Sequence, residues 1–288
     1  MQALREFDIK GSVLLTISTT LFILGLNLGG NVLPWSHPIV IAAMSTFAVV
    51  FPIFLWVESR TVKAIMPLHL ITKMPHANLI FSNFIATFLV NAVLFNMPLY
   101  FQAVLLTSAT TSGLRLVPSS IASSVIGVST GFLISYTRRL KWPLVAGTFF
   151  TALGNLGLCF LRRGLPAPSI YSPSSPAASS EQAVVTSTLL LWRSLGSVLG
   201  VAASSLVVQN ALLYNLEKMV HGDLREEVIR RVRGSVEIVA KLDEPYREQV
   251  IQSYEATLRL TFVFTVLLAL VSVFLIVPIK LLRLPTRK

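Results

Sequence analysis

Seven apolar stretches, each about as long as a bilayer-crossing helix, run through this chain, and no Asp or Glu lies inside any of them. They cover residues 12–32, 38–57, 79–101, 115–136, 142–161, 186–209 and 259–281. A helix needs roughly 20 apolar residues to cross the hydrocarbon core. In lipid every backbone N–H and C=O must find a partner within the protein, which leaves helices as the answer for segments of this length. The expected fold class is therefore all-α, a polytopic membrane protein with about seven transmembrane helices. The composition points the same way: 53% hydrophobic residues, 13% charged residues and a mean hydropathy of +0.71 lie outside the soluble globular range.

The net charge of +11 is no nucleic-acid stripe, because the basic residues gather at the ends of apolar segments, as topology signals do. Arg5 and Lys10 precede the first span, and the 31–37 turn has no Lys or Arg. Arg60, Lys63 and Lys73 fall in the 58–78 loop, the 102–114 loop has none, and Arg138, Arg139 and Lys141 mark the 137–141 turn. This alternation predicts a cytoplasmic N-terminus and a cytoplasmic 58–78 loop. The charged start MQALREFDIKG, with no small-residue cleavage site after the first apolar run, reads as a membrane anchor rather than a signal peptide.

The basic tail, with Lys280, Arg283, Arg287 and Lys288, predicts a cytoplasmic end as well. Seven crossings cannot begin and end on the same side. Between the fifth and sixth spans lies the 162–185 loop, which carries Pro166, Pro168, Pro173 and Pro176 among many serines. Such a segment would leave backbone groups unpaired in lipid. The expectation is that a helix has been lost here.

Residues 210–258 differ from the rest, holding nine of the 13 acidic residues. Leu212, Leu216, Met219, Leu224, Val228, Val232, Val236 and Val239 recur at helical spacing, which predicts one or two amphipathic helices on the non-cytoplasmic side. Both a soluble cap and a recognition domain fit this pattern.

For chemistry, the third span is the most polar of the first five. Asn83, Asn91, Asn96, Tyr100 and Gln102 are the candidates for a substrate cavity, since amides within a span must face partners or water. Packing by interhelical hydrogen bonds is the competing explanation. Gly196 and Gly200 form G-x-x-x-G, and Gly154 with Gly157 offers a similar surface; close helix packing is the expected role of all four. Arg115 and Arg193 are candidates for an interface position or an anion contact. Pro98 and Pro118 are expected to kink helices or mark their ends. The four histidines lie in loops without metal-ligand spacing, and the single Cys159 excludes a disulfide within the chain. There is no phosphate-binding glycine loop, nucleophile elbow or zinc motif, so neither catalytic residues nor a metal site are expected, and the chain reads as a non-enzyme.

The stretches FDIKGSVLL (7–15), LGGNVLPWSHP (28–38), MPLHL (66–70), MPLYFQAVLLTSATTSGLRLVPSSI (97–121), GFLISYTRRLKWP (131–143) and LWRSLGSVLGVA (191–202) occur in one colinear order. In these the chain resembles the fourteen-spanner drug:proton antiporters of the major facilitator superfamily in fungi, including vacuolar basic amino-acid carriers. The resemblance implies a partial fold, the C-terminal half. Residues 1–57 would be the extra helix pair, 79–161 three helices of the C-terminal bundle, 186–209 a further helix, and 259–288 the last helix with its basic tail. It also places an apolar helix where 162–185 holds the Pro/Ser loop. The implied function is proton-coupled antiport of drugs, basic amino acids or other small solutes, in the plasma or vacuolar membrane, driven by a proton gradient with no cofactor. Ion-coupling carboxylates would lie largely in the other half. A truncated, poorly transporting carrier is thus one expectation. A non-transporting remnant, or a subunit packing against its missing N-terminal half or a full-length carrier, is the other.

Overall fold

A computed structural model of the protein describes residues 8–29, 33–61, 76–137, 141–161 and 182–279. The Pro/Ser segment through residue 181, residues 62–75 of the 58–78 loop and the basic tail lie outside these residues. Among the described residues every regular element is helical, and seven helical segments are long and apolar enough to cross a membrane.

The first two helices form a hairpin. Helix α1 (Ile9–Leu28) starts on Asp8, whose Oδ1 accepts from the Gly11 N–H at 2.9 Å, and α2 (Pro38–Arg60) starts on His37 with Pro38 in the first turn. Both caps engage backbone donors that a first helical turn leaves without partners. Phe22 stacks on Phe47 at 4.5 Å across the hairpin.

Helix α3 (His76–Ala103) is the centre of the bundle and packs on both long helices that follow, α7 (Gln182–Met219) and α9 (Tyr246–Ile276). Pro98 lies inside α3, five residues before its end. A short α4 (Ala109–Leu114) leads into α5 (Val117–Thr137), which carries Pro118 in its first turn. Helix α6 (Lys141–Cys159) packs on α9. Polar side chains tie α3 to α9: Ser82 and Ser272 share a hydrogen bond of 2.9 Å, and Asn78 donates to the Leu275 carbonyl at 2.9 Å. Within hydrocarbon, where no hydrophobic force separates helix from lipid, such bonds and close packing hold helices together.

The region expected as a separate amphipathic loop is built differently. Its two ends are continuations of α7 and α9, and only α8 (Arg225–Gly234) and a 3₁₀ turn (Val236–Lys241) lie between them. A helix of the 38 residues of α7 is about 57 Å long, well beyond the ~30 Å of hydrocarbon. Hydropathy marks only the apolar middle of such a helix, so the spans 186–209 and 259–281 are corrected to parts of longer helices. The extensions persist because they have something to bury. Leu212, Leu216, Val228, Val232 and Val239 join Ile251, Tyr254 and Leu258 in one apolar cluster with Tyr100 and Phe101 of α3. Leu224, expected among them, is exposed, because it occupies the N-cap of α8 rather than its inner face. The turn into α8 needs Gly222, whose φ of +130° places it where a side chain would be strained and would strike the Tyr246 hydroxyl.

Candidate substrate cavity

The cavity the fold creates lies between α3, α5 and α6 and has a volume of about 270 Å³. Leu89, Val90, Val93 and Leu94 give it an apolar wall from α3. Their spacing forms a single helical stripe. Opposite stand Ser119, Ser120 and Ser123 of α5, while α6 contributes Thr151 and Asn155, one turn apart. The space exists because α5 stands away from its neighbours: only 6% of the apolar window in Ala109–Thr137 is buried.

The polar groups of this cavity are mostly turned into acceptors. Ser120 donates its hydroxyl hydrogen to the Leu116 carbonyl at 3.2 Å, and Thr151 donates to the Gly147 carbonyl at 2.8 Å. Asn155, only 2% exposed, donates Nδ2 to the Thr151 carbonyl at 2.8 Å, and its Oδ1 is buried with no hydrogen-bond partner. A buried acceptor without a donor carries a desolvation penalty. Among the described residues that line the cavity there is no Asp, Glu, Lys, Arg or His. Such a surface can hold a solute but has no nucleophile–base pair for catalysis. Among the described residues no cluster of His, Cys, Asp and Glu suits a metal ion.

None of the five residues singled out on the third span lines this cavity. Asn91 and Asn96 donate Nδ2 to carbonyls four residues back in their own helix, at 2.8 and 2.7 Å. These amides are thus engaged locally, a third arrangement beside cavity and interhelical bond. Asn83 and Gln102 are half-buried. Asn96 and Tyr100 are brought together, one turn apart and both buried, and each keeps one oxygen without a partner. The Glu255 carboxylate of α9 lies within electrostatic reach of the Tyr100 hydroxyl, and its Oε1 is buried without a partner too.

Glu255 and Glu58 lie outside the apolar stretches yet within helices. Glu255 is in the third turn of a continuous α9, and Glu58, inside α2, is 2% exposed beside Asp8 and Gly11. The hydropathy boundary at residue 259 hid Glu255, since the helix keeps its course after its sequence turns polar.

Gly196 and Gly200 face α3, where a Cβ would strike the carbonyl oxygens of Phe84 and Phe88. Gly154 is half-buried, whereas a Cβ on Gly157 would meet nothing within 4 Å, so Gly157 is not a close-packing position. Arg115 is in the turn between α4 and α5 and sets its guanidinium 5.3 Å above the Phe101 ring, a cation–π contact. Arg193 is exposed on α7. Sequence reading passed over Asn155, although an amide in the middle of the fifth span is the same signal that drew attention to the third. The hydroxyl run at Ser119, Ser120 and Ser123 gave no signal, because serines in membrane helices commonly bond back to their own backbone.

No family model matches the chain. Individual relatives do. It is 27% identical to the multidrug resistance protein fnx1 of Schizosaccharomyces pombe, over 92% of this chain and 55% of that protein. It is 29% identical to the vacuolar membrane amino acid uptake transporter fnx2 of the same yeast, over 92% of this chain and 49% of that protein. With the vacuolar basic amino acid transporter 2 of Saccharomyces cerevisiae the identity is 30%, over 99% of this chain and 66% of the relative. The chain thus spans about half to two thirds of the length of these relatives. Seven apolar helices and homology to membrane carriers along nearly its whole length make it a multi-pass membrane protein of the MFS-type transporter family.

Proposed function

We propose that this chain forms one wall of a transport pathway for small solutes, with the α3–α5–α6 cavity as the part of that pathway it contributes. The observation that carries the reading is the cavity itself, with the hydroxyl-bearing residues of α5 and α6 lining it opposite an aliphatic wall. The relatives named for multidrug resistance and for vacuolar amino-acid uptake bracket the substrate range. Coupling to a proton gradient, without a bound cofactor, is part of the proposal, as is a cytoplasmic N-terminus in a plasma or vacuolar membrane.

Alternating access needs two bundles rocking around a shared site. The open face of α5 favours a bundle that works against a second one. Reconstitution into proteoliposomes under a pH gradient tests this. The expected result is flux near the leak level for the chain alone and saturable uptake when the N-terminal half of fnx1 is reconstituted with it. Robust saturable uptake by the chain alone would remove the need for a second bundle. No uptake in either case, with both proteins folded, would overturn the transport reading.

The second reading is a non-transporting subunit, with the cap, which packs around Leu216 and Val232 in the apolar cluster it shares with α3, as its non-spanning part. In that case the chain should change the kinetics of a full-length carrier without adding flux.

A further inference from the structure

Arg115 is a cation with no anion to answer it. The sequence holds no Asp or Glu between Glu58 and Glu181, and among the described residues no hydrogen bond or ion pair engages the Arg115 guanidinium. Its side chain is exposed but held, 5.3 Å from the centre of the buried Phe101 ring. A guanidinium over an aromatic face keeps its N–H donors available, and their fork matches a phosphate two bonds at a time. Helix α5 has 21 residues, about 31 Å, which by itself matches the hydrocarbon thickness. Arg115, in the turn just before it, therefore stands at headgroup level. Gly113 and Leu116, which flank it in the chain, line an open groove of about 360 Å³ together with Val117, Ser120, Ile121 and Ser124. Both serines donate to carbonyls of their own chain, at 3.2 and 3.1 Å, so neither hydroxyl hydrogen is left to hold a polar solute. A Cβ on Gly113 would meet nothing within 4 Å.

We propose that Arg115 and this groove form a binding site for one anionic phospholipid, with its phosphodiester on the guanidinium and part of an acyl chain along the groove. A free phosphate would meet the charge but gain nothing from the aliphatic wall. An apolar solute would cover the wall and leave the cation unanswered. A zwitterionic phospholipid brings its own cation beside the phosphate, so it gains less from Arg115 than a headgroup of net negative charge does. On α5 the groove takes up only the first two turns, Val117 to Ser124, and the rest of the open face is left for a second bundle. The assignment holds whether or not the chain transports.

Native mass spectrometry of the purified chain, titrated in detergent with phosphatidylglycerol or with phosphatidylcholine of the same acyl chains, reads the first lipid retained. Phosphatidylglycerol should bind roughly fivefold tighter, the worth of one cation at an anionic surface. Arg115→Gln should bring the two lipids level. Arg115→Lys should restore part of the preference, since an ammonium keeps the charge but not the fork. Gly113→Leu fills the groove without striking protein and should weaken both lipids about fourfold or more, the worth of one buried CH₂, with their ratio kept. Gly127→Leu, whose Cβ also meets open space, should weaken neither. Glycerophosphoglycerol, the headgroup without its chains, should not displace the lipid at equal concentration. An unchanged preference in Arg115→Gln would show that other cations hold the lipid. Equal losses from the two glycine variants would show that the groove takes no part, and displacement by the bare headgroup would make the site one for free phosphodiesters. Each of these three results overturns the assignment.

Discussion

Helices α5 and α7 carry the same motif and fare differently. Each has Gly-x-x-x-Gly, Gly127 with Gly131 and Gly196 with Gly200, and their apolar windows share a mean hydropathy of 1.5. The window of α7 is nevertheless 33% buried, against 6% for that of α4 and α5. A Cβ on Gly196 or Gly200 would run into the backbone of α3, while one on Gly127 or Gly131 would meet nothing within 4 Å. The motif therefore permits close approach without causing it. The partner supplies the rest: α3 presents the carbonyls of Phe84 and Phe88 at matching height, and Trp192 of α7 packs edge-on against Phe81 and Phe84. At its far end α7 also buries Leu212 and Leu216 in the cap. Helix α5 has neither anchor, and the space beside it is the cavity.

The contrast breaks first at the cap. Leu216→Ala, at a fully buried position, should destabilise the protein by about 2–5 kcal/mol, the usual range for a cavity left in a core. Denaturant unfolding in detergent, followed by circular dichroism, measures this. A loss below about 0.5 kcal/mol, the level of an ordinary surface change, would mean that the cap does not anchor α7. Next comes the glycine face. Gly200→Leu must displace the α3 backbone and should lose about 1–3 kcal/mol by overpacking. The matched Gly127→Leu change on α5 should stay within about 0.5 kcal/mol, as at a surface position. Equal losses from the two leucines would show that α5 is packed as tightly as α7, and the difference between the helices would vanish.

Much of the architecture was legible in the residues. The seven spans emerge because a run of some 20 apolar side chains has few alternatives to a membrane helix, and six of the seven helices begin within a few residues of the expected place. The exception is α9, whose start lies 13 residues earlier than hydropathy suggests, at Tyr246 rather than 259. Helix formation there depends on the burial of Val250, Ile251 and Tyr254 against elements distant in sequence. The candidate site was read less well. Polarity drew attention to Asn91 and Asn96, but a span amide has a carbonyl one turn away, and both bond to it. Whether an amide faces a cavity depends on what its neighbours leave open, and no local pattern encodes that.

The sequence by itself determined that this is an all-helical membrane chain, where its apolar segments lie and which transporter family it belongs to. Those properties rest on local hydropathy and on colinear motifs, each legible without knowing what touches what. Only the tertiary structure decided which of two equal glycine motifs is pinned, that α7 and α9 run on into a packed cap, and that Asn155 rather than the amides of α3 is among the residues lining the cavity. These outcomes follow from complementarity between surfaces far apart in the chain. The energy of a close contact is realised only when both surfaces are in place.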